Sequence, residues 1–123
     1  MIEPISTMPE GTFGFRVRGD IAGDDFTRVV LPPLRQAVAD GERLRVLVAV
    51  GPDYHEDAGA VWAGFRTDVE LGVRHRTAWE RVAVVSDIGW VLQATKLFAW
   101  MMPGEIRTFA EDQLEGAMAW VAA

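Results

Sequence analysis

Residues 84–90 read Val-Val-Ser-Asp-Ile-Gly-Trp and mark a change of secondary structure. They close an apolar, β-branched run over residues 81–86, which is typical of a strand covered on both faces of its sheet. Ser86 and Asp87 carry oxygens that accept hydrogen bonds from the free amides of a helix N-terminus. The apolar residues that follow predict a helix over residues 87–101. The stretch therefore predicts a buried strand that turns directly into a helix.

The same alternation of strand and helix continues on both sides of this stretch. Four strands are predicted, at residues 12–18, 44–50, 81–86 and 105–109. Each precedes an amphipathic helix, and the helices are predicted at residues 24–39, 57–73, 87–101 and from Glu111 onwards. The order βαβαβαβα, with two largely apolar strands, predicts an α/β fold in which helices pack on a four-stranded, mostly parallel sheet. The first strand alternates apolar and polar residues, so we expect it to run antiparallel at an edge.

The first predicted helix contains Pro32 and Pro33 in the middle of its apolar stripe. Proline in a helix interior costs about 3 kcal/mol, because it removes a hydrogen bond and clashes with the preceding turn. We therefore expect either a kinked helix or a late start with one proline in the first turn. Gly41 is a favourable stop, because glycine readily adopts the left-handed conformation that ends many helices.

The composition indicates a single globular domain over residues 1–123. A net charge of −6 argues against nucleic acid as a partner, because such binding depends on basic residues. The chain has no cysteines, and its N-terminus lacks the basic and apolar regions of a secretory signal, so we expect a cytoplasmic protein. No apolar run approaches the ~20 residues of a membrane-spanning helix, although peripheral membrane contact stays open. The glycine-rich phosphate loops are missing, and we expect no cofactor.

The block at residues 81–90 resembles the core of the bacterial SpoIIAA-like family, which is related to STAS domains. The resemblance continues through Phe98, residues 103–109 and residues 117–121, and it includes Gly19-Asp20-Ile21 after the first strand. It implies a small α/β sandwich like the sporulation anti-sigma-factor antagonist and, more distantly, the lipid-carrying CRAL-TRIO domains. It also implies no established enzyme activity, and either regulation of another protein or binding of an apolar ligand.

The STAS resemblance further implies a regulatory turn, where that family carries a phosphorylatable serine at the start of the helix after a central strand. The matching turn in this chain, at residues 50–59, contains no serine or threonine. Asp57 stands near the acceptor position with a permanent negative charge, and Asp53 and His55 complete a charged regulatory turn. The resemblance therefore implies, as one alternative, a protein–protein regulator without a phospho-switch.

Ser86 also offers a nucleophile, which would need a neighbouring histidine as its base. His55 follows another strand, so a hydrolase that uses Ser86 with His55 is a second alternative. No Gly-x-Ser-x-Gly elbow surrounds Ser86, and helix capping is the simpler interpretation of Ser86-Asp87. The chain has two histidines and no cysteines, and we predict neither a metal site nor enzyme activity.

The predicted helix at residues 87–101 is apolar over most of its circumference, whereas a helix on a sheet needs only one apolar stripe. We therefore predict a non-enzymatic binding module that holds an apolar ligand, such as a lipid, or a protein partner against this helix and the helix at residues 57–73. The ligand-binding residues of this prediction are Trp62, Phe65, Trp90, Leu97, Phe98 and Met101. Two alternatives explain the same residues, namely ordinary interhelical core and a homodimer contact.

Overall fold

The computed structural model describes residues 2–18, 26–51, 78–89, 92–93, 95–96 and 104–123. Within these ranges the strands are β1 (Ile2–Pro4), β2 (Phe13–Val17), β3 (Leu44–Val50), β4 (Trp79–Val85) and β5 (Glu105–Phe109). The helices bounded there are α1 (Leu31–Ala39), after a π-helical turn at Phe26–Val30, and α2 (Leu114–Ala122), after a 3₁₀ turn at Glu111–Gln113. Positions 89, 92, 93, 95 and 96 are also helical. None of these described helices is long and apolar enough to cross a membrane.

The five strands of the described ranges form one sheet in the order β1-β2-β3-β4-β5. Strands β2 to β5 run parallel, and β1 is antiparallel to β2. The predicted α/β fold, with a mostly parallel sheet and an antiparallel edge strand, is thereby confirmed. The antiparallel edge strand is β1, however, whereas β2, which the alternation predicts at the edge, lies between β1 and β3.

β1 is an addition to the four predicted strands. Its three residues are too few to show a hydrophobic period. It pairs Ile2 with Val17 and Pro4 with Phe15, and just beyond it the Ile5 N–H donates to the Gly14 carbonyl at 2.8 Å. β2 therefore has a hydrogen-bonded neighbour on each side.

α1 begins at Leu31 and carries Pro32 in its first turn, but the chain is already helical from Phe26, so neither predicted alternative describes this segment fully. The first turn tolerates proline because its amides have no acceptors within the helix. The preceding residues, Phe26–Val30, form a wider π-helical turn that leads the chain into α1. Val30, Leu31 and Leu34 are buried, which places the apolar stripe against the sheet.

The C-terminal end of α1 is a glycine stop, as the sequence predicts. Gly41 has a φ angle of +78°, which lies in the left-handed region. Its N–H donates to the Val38 carbonyl at 3.0 Å, and the Glu42 N–H donates to the Ala37 carbonyl at 2.9 Å. This pair of bonds is a Schellman motif, and it supplies donors to carbonyls that a helix end leaves without partners.

Alternating side chains of the sheet form two cores, one on each face. The front-face core includes Val46, Val48, Val82 and Val84 together with Leu31, Leu34 and Ala37 of α1. The back-face core includes Leu47, Ala49, Ala83 and Val85 together with Ala117 and Val121 of α2. Successive residues of a strand point to opposite faces, so β3 and β4 need apolar residues at nearly every position. Their continuous apolar sequences therefore correspond to strands covered on both sides.

Arginine side chains from neighbouring strands hold the C-terminal end of α2. Arg81 donates to the Trp120 carbonyl at 2.6 Å, and Arg45 donates to the carbonyls of Val121 and Ala123 at 3.3 and 2.9 Å. The Arg81 guanidinium also lies 5.1 Å from the centre of the Trp120 ring. The last carbonyls of a helix have no donors within it, and positive charge there complements the helix dipole. α2 is thereby fixed across the back face, with its start near the carboxyl ends of the strands.

Candidate functional site

The residues predicted to form the binding cleft and the regulatory turn lie outside the described residues. They are Trp62, Phe65, Trp90, Leu97, Phe98 and Met101 for the cleft, and Asp53, His55 and Asp57 for the turn. Both sets stay predictions. The described residues bring together a different group of side chains, at the carboxyl ends of the parallel strands.

Ser86 and Asp87 act as hydrogen-bond acceptors where β4 ends. Ser86 is 1% exposed, and its Oγ accepts the Ile88 N–H at 3.1 Å, so it binds the residue before the first helical position instead of an amide of the helix itself. Asp87 serves the last helix instead, because its Oδ1 accepts the Glu111 N–H at 3.1 Å. A hydroxyl at this burial is not open to a substrate, which argues against Ser86 as a nucleophile.

The turn before α2 is anchored at two backbone amides. The Glu111 N–H is bound by Asp87, and the Ala110 N–H donates to Gln113 Oε1 at 3.0 Å. The Gln113 N–H donates back to the Ala110 carbonyl at 2.9 Å. These bonds satisfy amides that a helix start leaves without partners. The backbone of Glu111 is thereby fixed at the edge of the sheet.

A cavity of about 240 Å³ lies on the back face, at the carboxyl ends of the parallel strands. It is lined by Arg16, Ala49, Val50, Gly51, Val85, Glu111 and Leu114. Arg16, Ala49 and Val85 are in register on three neighbouring strands, so they form one row across the sheet. Glu111 and Leu114 approach this row from the start of α2. Ligands of open α/β sheets commonly bind outside the carboxyl ends of the strands, which is the position of this cavity.

The small side chain of Ala49 creates the space for this cavity. The preceding row of the back face has the larger Leu47 at its centre. Met8 covers the Gly14 end of that row so closely that a Cβ on Gly14 would lie 2.5 Å from the Met8 sulfur. In the next row the centre is Ala49 and the outer position is Arg16. Space therefore remains between Arg16 and the start of α2.

The cavity has one positive and one negative side. Arg16 and Glu111 are both half-buried, and Glu111 Oε1 is buried without a hydrogen-bond partner in the described ranges. Within the same ranges no ion pair joins Arg16 to Glu111, or to Glu3, its neighbour across the β1–β2 ladder. A buried carboxylate oxygen without a donor costs free energy, and a donor group placed in the cavity would relieve that cost.

Sequence reasoning does not single out Arg16 or Glu111. Arg16 is one of the polar residues of an alternating strand, and Glu111 is a typical acid at a helix start. The signal that could have found them is the topology. Arg16 lies near the end of β2 and Glu111 follows β5. Because the carboxyl ends of parallel strands meet at one edge of the sheet, the two side chains can be expected on the same edge. In the part of the chain that the structure describes, no cluster of three or more acidic, histidine or cysteine residues could hold a metal ion.

Comparison with known proteins agrees with this architecture. The chain is similar to an uncharacterised protein of the DUF3478 family with a SpoIIAA-like fold from Shewanella loihica PV-4, whose crystal structure was determined at 2.25 Å resolution. The two share 20% sequence identity with a TM-score of 0.62 over 98% of this chain and 93% of the other, which is a likeness of fold. No curated protein matches the chain significantly. The sequence model of the SpoIIAA-like family matches residues 12–122, and the chain therefore belongs to the SpoIIAA-like family.

Proposed function

We propose that this protein is a non-enzymatic binding module that holds an apolar ligand between the helices predicted at residues 57–73 and 87–101. The resemblance to a family without established enzyme activity supports a binding role over catalysis. The apolar composition of the second of these helices supports an apolar ligand over a polar one.

The observation that carries the proposal is the burial pattern after β4, which defines the inward side of the helix there. Thr95 is 1% exposed and Leu92 is half-buried. Gly89, Gln93 and Lys96 are exposed. Inward residues three apart, with exposed residues beside them, are typical of an amphipathic helix that buries one stripe.

The helical period extends this assignment to the flanking sequence. At about 3.6 residues per turn, each residue is rotated by about 100° from the one before it. Trp90, Leu97 and Met101 then fall about 120–160° from Thr95, whereas Phe98 falls about 60° from it. We therefore expect the first three side chains on the outward side and Phe98 on the side that faces the sheet.

The proposal assigns the outward side chains to the ligand and makes Trp62 and Phe65 the facing wall. Removing apolar surface from water contributes about 25 cal/mol per Å², which is the driving force for such binding. Met101 suits a site of this kind because methionine adapts its shape to varied ligands. Phe98 supports the site from the inward side.

Native mass spectrometry of the chain incubated with a mixture of fatty acids and phosphatidylglycerol tests this proposal. We expect an adduct that Leu97→Glu abolishes without a change in the far-ultraviolet circular dichroism spectrum. Lys96→Glu is the matched control, because it changes charge at an exposed position one residue away and leaves the adduct intact. Phe98→Ala is expected to lower thermal stability instead.

Two outcomes would contradict the apolar-ligand proposal. One is the absence of any adduct with the whole mixture. The other is a homodimer that Leu97→Glu dissociates, because a second copy would then cover the outward side chains.

We also propose a surface for a protein partner, without a phospho-switch, at the charged turn that contains Asp53, His55 and Asp57. The hydrolase alternative, with Ser86 and His55, has no support in the described residues, since Ser86 is buried. Homodimerisation, a cytoplasmic location and a single domain over residues 1–123 stay predictions.

A further inference from the structure

The cavity at the carboxyl ends of the strands carries a second inference, independent of the proposed apolar surface. We propose that this cavity binds a small zwitterion, with the carboxylate of the ligand at Arg16 and its ammonium group at Glu111. The aliphatic part of the ligand lies against Ala49 and Val85.

The charges of the cavity walls carry this assignment. Arg16 comes from β2 and Glu111 from the turn before α2, and no ion pair joins them within the described ranges. A guanidinium binds a carboxylate through two parallel hydrogen bonds. An ammonium group has three donors, of which one satisfies the buried Glu111 Oε1. An anion alone would leave that oxygen without a donor, and a cation alone would leave Arg16 without an acceptor.

The size of the cavity suits a small ligand. A volume of 240 Å³ corresponds to about eight water molecules at roughly 30 Å³ each. A short amino acid fits this space, and a nucleotide or a lipid chain would extend out of its open side. The lining between the two charged groups is aliphatic, from Ala49, Val85 and Leu114, and suits methylene groups better than a second polar group.

Both charged side chains are carried by a backbone that is already held in place. Arg16 lies in the interior strand β2, paired with Glu3 on one side and Ala49 on the other. The Glu111 amide is bound by Asp87. Glu3 lies opposite Arg16 across the β1–β2 ladder, where its carboxylate would repel the carboxylate of a ligand at Arg16, so Glu3→Gln is expected to strengthen ligand binding.

An NMR titration of the isotope-labelled full chain tests the inference. The probes are glycine, β-alanine, γ-aminobutyrate and δ-aminovalerate, in which the two charges lie progressively further apart. Butyrate and butylamine are the controls with one charge each. We expect one amino acid of the series to shift the amides of Gly51 and Val85 and to bind about tenfold more tightly than either control.

Variants separate the two ends of the site. Glu111→Gln keeps the size of the side chain. It is expected to weaken binding of the amino acid about tenfold while leaving the affinity for butyrate unchanged. Arg16→Gln is expected to weaken binding of both the amino acid and butyrate. Ala49→Leu is expected to fill the cavity and abolish binding. Melting temperatures of all variants identify any that fail to fold. The inference is overturned if no member of the series shifts the Gly51 and Val85 amides, or if a folded Glu111→Gln variant binds the amino acid as tightly as the wild type.

Discussion

Replacement of Arg81 by methionine is expected to loosen the C-terminal end of α2 and to lower the free energy of unfolding by about 2–3 kcal/mol. Methionine keeps an unbranched apolar stem and removes the guanidinium. Two contacts are lost with it, namely the hydrogen bond to the Trp120 carbonyl at 2.6 Å and the contact with the Trp120 ring at 5.1 Å.

The magnitude follows from these contacts and from their exposure. A hydrogen bond that involves a charged group contributes about 1.5–3 kcal/mol, and a cation–π contact at an exposed site about 0.5–1 kcal/mol. The Arg81 side chain is 24% exposed, so solvent screens part of both contributions. Glu105 adds little, because its carboxylate is 4.0 Å from Arg81 Nε and its side chain is 69% exposed.

Arg107→Met is the matched control for this prediction. The Arg107 guanidinium also lies 5.3 Å from the centre of the Trp120 ring, but its strand position is exposed and its contribution is the ring contact. We expect a loss of less than about 1 kcal/mol for this variant. Urea denaturation of both variants, followed by tryptophan fluorescence, measures the two free energies of unfolding. Equal losses, or an Arg81→Met variant within about 0.5 kcal/mol of the wild type, would refute the reasoning.

Four further substitutions have expected outcomes that the same denaturation experiment measures. Gly41→Ala should cost about 1–2 kcal/mol, because alanine is strained at a positive φ. Gly104→Ala should cost about 1–3 kcal/mol, because its Cβ would lie 2.5 Å from the Trp79 carbonyl oxygen, and equal stability would show that β5 can shift freely. Leu34→Ala should cost about 2–5 kcal/mol by leaving a cavity in the front-face core, and a smaller loss would indicate local collapse. Ser86→Ala should cost about 0.5–1.5 kcal/mol through the lost hydrogen bond to the Ile88 amide and leave any ester hydrolysis unchanged, and loss of hydrolysis in a folded variant would revive the hydrolase alternative.

The interior of the sheet could be predicted from the sequence because it depends on local patterns. The apolar run at residues 44–50 predicts a strand with the bounds that β3 has, and the run at 81–86 overlaps β4, which begins two residues earlier at Trp79. Such runs need no long-range information, since a strand covered on both faces has apolar residues at successive positions. The Gly41 stop and the place of Pro32 in the first turn of α1 are equally local, because each depends on the backbone preference of one residue type.

The features that escaped prediction depend on contacts between residues far apart in sequence. Arg16 and Glu111 meet only because β2 and the start of α2 reach the same edge of the sheet. Arg45 and Arg81 look like ordinary charged residues at strand starts, and their role as donors to the end of α2 depends on where the last helix crosses the back face. No period or motif in the sequence encodes either arrangement.

The outermost strand also affects how the folded chain meets other chains. β1 has three residues, and Pro4 lacks an N–H, so this border of the sheet offers few groups with which a foreign strand could pair. Removal of residues 1–5 would free the hydrogen-bonding groups of β2, beside the aromatic side chains of Phe13 and Phe15. The sheet would then end in a longer and more apolar edge strand, which could act as a template for aggregation. We therefore expect the short N-terminal strand to protect the protein against aggregation.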